Sequence, residues 1–274
     1  MLERLQHGFH AARPDPRDTL AGTRLASAFL AGEELEALGA ETLSVRAAAA
    51  HTPLVREGDA ADQLHVLLEG WACRYKTTRE GSRQIVALLV PGDVMNLDSL
   101  MFVRPDYGVR VLTPAKIAAL SCDRVLALAE RHAGIHKTLI WLAMVENAAL
   151  SQWALCLGRQ SALQRVAHLF CELDVRLAAR RREPGSFDMP LTQEQLADAV
   201  GLTPVHVNRT MQQLRSQGLI ATANRTVTLP DIQRLRTAAE FEPDYLHADA
   251  GGTGWRGTRP GAGWGASASP LALY

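Results

Sequence analysis

The chain has no net charge: 29 Lys and Arg balance 29 Asp and Glu across 274 residues. That argues against a non-specific polyanion binder, whose affinity comes from massed neutralisation of phosphates. The four cysteines, Cys73, Cys122, Cys156 and Cys171, have no close spacing. They suit small buried thiols in a reducing cytoplasm, with no disulfide or zinc framework. The opening stretch, MLERLQHGFHAARPD, lacks an apolar h-region, so no secretory signal is expected. No stretch approaches the roughly 18 clean apolar residues of a membrane span. Ile140 to Leu157 comes nearest and is broken by Glu146, Asn147, Ser151 and Gln152. There is also no Walker loop, no Gly-x-Ser-x-Gly and no dyad at catalytic spacing, so the expectation is a non-enzyme without a cofactor.

What is present is best read from Leu191 to Ile220, LTQEQLADAVGLTPVHVNRTMQQLRSQGLI. Thr192 is a good N-cap, and Gln195 three residues on completes a capping box. Leu196 and Val200 make one apolar stripe, and Gly201 suits a left-handed helix end. Thr203 caps a second helix, with Pro204 at its first position. Val207, Met211 and Leu214 form the inward stripe of that helix, and Gly218 stops it. Two capped helices joined by a short glycine-containing turn make a helix-turn-helix. At 100° per residue, Val205, Arg209, Gln212 and Ser216 lie opposite the inward stripe, flanked by His206 and Asn208. Those residue types suit base edges: Arg pairs with guanine, Asn and Gln with adenine, and an apolar group touches a thymine methyl. The same row also fits the solvated face of an ordinary helical hairpin.

Hydrophobic content of 47% and charged content of 21% are ordinary for a globular chain that holds two modest domains. Between residues 159 and 236 there are eleven Arg, no Lys and seven acids, so the positive excess sits with the helix-turn-helix. Residues 1–27 read as a flexible arm, and Phe29 to Leu38 as a short helix. Strands are expected at Thr42–Arg46, Leu64–Leu68, Trp71–Thr77, Gln84–Val90, Gly108–Leu112 and Lys116–Ser121. They are separated by turn signals such as Glu69-Gly70 and Pro91-Gly92-Asp93. This spacing suggests a small antiparallel barrel or roll.

A helix over Cys122–Arg131 and a long one over Ile135–Leu157 follow, then a hinge at Gly158 to Ser161 and a helix over Ala162–Arg182. On the long helix, Leu139, Leu142, Ala149, Leu150 and Trp153 share a face. That face fits either a second subunit or the core of a monomer, and the near-heptad spacing favours the dimer. Glu146 lies in the same stripe, where it either fixes register or faces a cavity. After the helix-turn-helix, Leu219–Ala221 and Thr226–Leu229 read as a β-wing with Arg225 at its tip, and Asp231 caps a last helix. The tail at 249–274, rich in Gly, Ala and Ser, reads as disordered.

A roll, a long helix, a hinge and a winged helix-turn-helix in this order resemble the Crp-Fnr family of bacterial transcription regulators. The resemblance rests on Arg56-Glu57-Gly58-Asp59, Leu64 to Gly70, the Pro91-Gly92-Asp93 turn and the Leu191–Ile220 stretch. Phe241 to His247 is similar to α-proteobacterial members. The resemblance implies an α+β fold: a double-stranded β-roll sensor at 28–133, resembling a cyclic-nucleotide-binding domain, and a dimerisation helix with hinge at 134–159. A winged helix-turn-helix at 160–248 would bind DNA. It also implies a cytoplasmic homodimer on a near-palindromic duplex site, RNA polymerase as a partner, and no membrane.

The base-reading candidates are then Val205, His206, Asn208, Arg209 and Gln212, and the phosphate candidates Thr192, Thr203 and Arg225. At Val205, well-known relatives carry a Glu. The cyclic-nucleotide pattern is broken: Asn96-Leu97 stands for Gly-Glu, and Tyr107-Gly108 for Arg-Ser. Leu97 cannot accept from a ribose, nor Tyr107 pair with a phosphate. Asp98, Ser99, Arg104 and Tyr107 are left as a candidate effector pocket. The clustered N-terminal cysteines of iron–sulfur members are missing. Two rival readings stay open. One is a sensor acting through protein contacts. The other is a haem- or metal-dependent redox sensor using His132 and His136.

Overall fold

The computed structural model describes residues 20–26, 29–178 and 183–248. The expected tail at 249–274 lies outside them, as does the expected arm at 1–27 apart from 20–26. After α1 (Gly32–Ala40), seven strands follow: β1 (Thr42–Ala48), β2 (Pro53–Val55), β3 (Gln63–Glu69), β4 (Ala72–Thr77), β5 (Arg83–Leu89), β6 (Gly108–Val111) and β7 (Ala115–Ser121). They form two antiparallel sheets, ordered β1-β7-β3 and β2-β6-β4-β5. The strand missed in the sequence is β2. It has three residues, begins with Pro53 and lies at a sheet edge, where a missing N–H is tolerated. Gly70 turns β3 into β4 at φ +86°, and a Cβ there would lie 2.4 Å from the Pro114 carbonyl oxygen, so only glycine fits.

Both sheets carry buried side chains on both faces, except along β1, none of whose residues is buried. Between them sit Val55, Leu67, Met95, Val109 and Ile117. The outer face of the first sheet, with Leu64, Val66 and Leu120, is covered by α1, α2 (Cys122–Arg131) and the start of α3 (Ala133–Arg159). The outer face of the second, with Trp71, Cys73, Ile85 and Leu88, joins a cluster that continues into the C-terminal helices. Double burial explains why β3 and β5 read as nearly unbroken apolar runs.

The C-terminal half holds α4 (Ala162–Arg176), β8 (Ser186–Asp188), α5 (Gln193–Val200), α6 (Pro204–Ser216), β9 (Ala221–Ala223), β10 (Thr226–Thr228) and α7 (Ile232–Ala239). The expected helix over Ala162–Arg182 ends at Arg176, and 179–182 lie outside the described residues. The wing is a three-stranded sheet, β8-β10-β9, because the unforeseen β8 pairs with β10.

The 27-residue α3 corrects one expectation. The stripe assigned to a second subunit largely faces its own chain. Leu142 is 2% exposed, and Leu139, Ala149 and Trp153 are partly buried. Glu146 accepts two hydrogen bonds from Arg74 of β4, at 2.7 and 2.8 Å, so it faces the roll. The uncovered stripe is Ile140, Ala143, Asn147, Leu150 and Ala154, at alternating spacings of three and four, with Met144 exposed beside it. Of the six expected interface residues, only Leu150 belongs to it. A helix apolar on several sides gives periodicity no way to choose which side meets which neighbour. By length and composition alone α3 could cross a membrane. In the fold its Glu146 is instead held by the roll.

The Arg74 side chain is 8% exposed and also donates to the Val94 and Met95 carbonyls. Glu146→Leu leaves that guanidinium buried without its counter-charge. The expected loss is about 2–4 kcal/mol, below the figure for fully buried pairs because Glu146 keeps 27% side-chain exposure. Arg74→Met with Glu146→Leu should recover part of it. Denaturant unfolding in which the single variant matched the wild type would show the pair to be a dispensable surface contact.

Candidate nucleic-acid interface

The helix pair α5–α6 is built by its caps. Thr192 Oγ1 accepts from the Gln195 N–H at 3.1 Å, and Gln195 Oε1 accepts from the Thr192 N–H at 2.9 Å. Gly201 closes α5 at φ +63°, and a Cβ there would lie 2.9 Å from Leu157 of α3. Thr203 Oγ1 accepts from the His206 N–H at 3.3 Å and starts α6. Val207 and Leu214 are fully buried beneath it, with Met211 at 8%.

The outer row of α6 is open. Val205 is 73% exposed, and His206, Asn208, Arg209 and Gln212 are exposed. Val205, Asn208, Arg209 and Gln212 line one shallow concavity with Pro204 and Gln193. Gln193 was not foreseen; it precedes α6 in a different helix, so only the packed hairpin brings it there. His206 lies outside this group. Among the described residues, no hydrogen bond or ion pair engages the side chains of Asn208, Arg209 or Gln212. Such a row can donate and accept toward a partner without first breaking internal contacts.

The phosphate candidates are arranged unequally. Thr192 and Thr203 use their hydroxyls as caps. Arg225 sits in the two-residue turn between β9 and β10, exposed, with Asn224 at φ +48° and Arg225 at φ +66°. Both central residues of a type I′ hairpin need positive φ, which suits Asn but strains Arg. The Arg225 carbonyl accepts from the Met189 N–H at 2.7 Å, which pins the turn to the end of β8. Arg215 of α6 donates to Thr222 of the wing at 3.2 Å.

Of the candidate effector residues only Asp98 and Tyr107 meet directly. Tyr107 donates its hydroxyl to Asp98, and the Arg74 guanidinium lies 5.3 Å from the Tyr107 ring centroid. Burial pushes the Tyr107 phenol up, so it stays a donor. Ser99 accepts instead from Asn96 at 2.9 Å, and Arg104 turns outward to donate to the Gly58 carbonyl at 2.7 Å. None of the four lines the cleft between Arg74, Glu146 and Arg176, which encloses about 60 Å³. Small-molecule sites usually start near 300 Å³. The sequence reading missed Arg74, although a Glu inside an apolar stripe is a signal that a buried cation faces it.

His132 is the cap between α2 and α3, while His136 is exposed on α3. Among the described residues, no group of three His, Cys, Asp or Glu is placed to hold a metal ion. The four cysteines are buried free thiols. Burial pushes Cys73 and Cys171 up to about 12, and Cys122 and Cys156 up to about 11.

Comparison with known proteins agrees with this geometry. The cyclic nucleotide-binding domain matches residues 45–132, and the Crp-like helix-turn-helix domain matches residues 164–238. The transcriptional activator protein FnrL of Cereibacter sphaeroides is 30% identical over 196 residues, covering 70% of this chain and 78% of that protein. The nitrogen fixation regulation protein FixK of Bradyrhizobium diazoefficiens is 29% identical over 185 residues, covering 67% and 76%. Among solved structures, FixK2 from Bradyrhizobium japonicum superposes with a TM-score of 0.66 at 23% identity, covering 71% of this chain and 96% of that one.

Two outcomes follow from the geometry. Arg225→Gly removes both the left-handed strain and the charge. Stability should stay within about 1 kcal/mol of wild type, since strain relief and the added freedom of glycine offset each other. Affinity for duplex DNA should fall, with the salt slope reduced by about one for each Arg225 in the complex. An unchanged slope in a salt titration would remove Arg225 from the phosphate contacts. At neutral pH the four thiols should resist iodoacetamide in the folded protein and all react in denaturant. Rapid labelling of any one in the native state would contradict their burial.

Proposed function

The chain belongs to the Crp-Fnr family of DNA-binding transcription regulators, and we propose that it reads a near-palindromic duplex site as a homodimer. The observation that carries this reading is the outer row of α6. Its polar members Asn208, Arg209 and Gln212 are exposed and, among the described residues, make no side-chain hydrogen bond or ion pair, over an inner row that is buried. In this reading α6 enters the major groove. Arg209 pairs with a guanine, Val205 meets a thymine methyl, and His206, Asn208 and Gln212 read neighbouring bases. Thr192, Thr203 and Arg225 hold phosphates.

The two copies meet along the uncovered α3 stripe, Ile140, Ala143, Asn147 and Leu150, rather than along the stripe first expected. Its spacing of three and four suits a two-stranded coiled coil, with Asn147 as a polar register-setting position. The half-sites then lie about 34 Å apart on one face of the duplex. Residues 28–133 act as the sensor part, 134–159 as the dimerisation helix and hinge, and 160–248 as the reader. The protein works in the cytoplasm, by binding rather than by catalysis, with RNA polymerase as a further partner.

The test is selection of duplexes from a random pool, followed by gel shifts of wild type and Arg209→Ala across a salt series. The variant should lose about 1–3 kcal/mol at the selected site and relax its preference at one base pair per half-site. Equal weakening on all sequences would make Arg209 a phosphate contact. Absence of any sequence-selective, salt-sensitive binding by the wild type would favour output through protein contacts instead.

A further inference from the structure

The reader meets the roll through Arg176 and a shared apolar cluster, and a separate polar fastening lies close to the start of the recognition helix. Arg83, at the first position of β5, donates through Nε to Asp198 of α5 at 2.8 Å. Its neighbour Gln84 donates through Nε2 to the carbonyls of Asp198, at 2.7 Å, and Ala199, at 3.3 Å. Arg165 of α4 donates to the Val200 and Gly201 carbonyls at 3.1 and 3.3 Å. The last carbonyls of a helix have no partner inside it. Here the roll and α4 supply those partners, and two guanidinium groups lie at the negative end of the helix dipole. Leu157 of α3 packs against Gly201, so the turn is held from a third side. Thr203, the cap of α6, follows Gly201 by two residues.

None of these contacts touches the outer row of α6. They can set where the row points relative to the roll and α3, not what it reads. We propose that Arg83 and Asp198, with Gln84, are spacing-setting residues: their latch fixes the angle of α5–α6 against the roll and so the separation of the two recognition helices. This rests on the dimeric reading above, because spacing has meaning only where two readers share one duplex. Both side chains stay partly exposed, Arg83 at 33% and Asp198 at 24%, so the latch orients more than it stabilises. Adding one base pair moves a half-site by about 3.4 Å and turns it by roughly 36°. A rigid reader rejects that shift and a loosened one follows it.

The experiment uses the full chain and the half-site obtained by selection with wild type. Duplexes carry that half-site once, or as inverted repeats with the spacer shortened or lengthened by one and two base pairs. Wild type should prefer one spacer by roughly five-fold or more. Arg83→Ala and Asp198→Ala should flatten that preference while single half-site affinity stays near wild type. The swapped variant, Arg83→Asp with Asp198→Arg, should restore it. Because the readout is a ratio between spacers, a general change in affinity from the altered charge cancels, and thermal unfolding of each variant confirms its fold. If wild type binds the single half-site but both alanine variants keep the full spacer preference, the latch proposal is wrong and the reader assignment stands. If wild type binds without distinguishing a repeat from a single half-site, the dimeric reading falls and the proposal with it.

Discussion

The guanidinium of Arg176 is the contact on which the arrangement of the chain depends. It stands at the last position of α4 and reaches into the roll, donating to the Leu88 carbonyl at 2.8 Å and to Asp93 at 2.6 Å. Asp93 belongs to the Pro91-Gly92-Asp93 turn, and its carboxylate also accepts from the Val90 N–H at 2.8 Å. On the other side Arg176 holds Glu172, which accepts from Trp153 of α3 and from Tyr245 near the C-terminal end of the described chain, each at 2.8 Å. His168 completes the set through the Tyr245 hydroxyl at 3.1 Å. The turn after β5, the long helix, the reader's base and the closing segment thus share one buried polar network. Such a network adds little net stability against an apolar replacement, but removing one member leaves the others uncompensated. Its value lies in admitting one arrangement of four elements.

Seen from that network, the interior of the roll looks occupied by design. Where the cyclic-nucleotide pattern has an acidic group for a ribose and a guanidinium for a phosphate, this chain has Leu97 and Tyr107, and the Arg74 guanidinium beside Tyr107 is already joined to Glu146. Arg74 is satisfied by Glu146 and two backbone carbonyls, and Tyr107 by Asp98. The position of the roll relative to α3 is therefore held by an internal ion pair. A ligand that used Arg74 or Glu146 would have to break that pair first, at a cost close to that of exposing a buried charge.

Much of this was legible from local chemistry. The capping box at Thr192 and Gln195, the left-handed Gly201 and the Thr203-Pro204 start identify α5 and α6 because each signal acts within four residues. Six of the seven roll strands follow from apolar runs and turn residues; β2 and β8 are too short, at three residues each, to carry a period. The site divides the same way. The outer row of α6 is a matter of helical angle, so it could be read. Gln193 joins it only through packing. Arg74 and Glu146 are 72 positions apart, and Arg83 and Asp198 115 apart; such pairs leave no periodic trace in a single sequence. The uncovered face of α3 was misassigned for a related reason: the choice among apolar stripes was made by the roll, not by the helix.

The largest apolar cluster does not respect the division between roll and reader. Trp71, Cys73, Ile85 and Leu88 of the roll sit in the same packed body as Phe170, Val207 and Leu235 of the C-terminal half. Cores that are continuous melt together, since neither part can expose its share without exposing the other's. The two halves are consequently poor interchangeable parts. A reader grafted onto a foreign roll would bring with it an unmatched apolar flank, and a change of target sequence is more safely made at the surface of α6 than by exchanging domains.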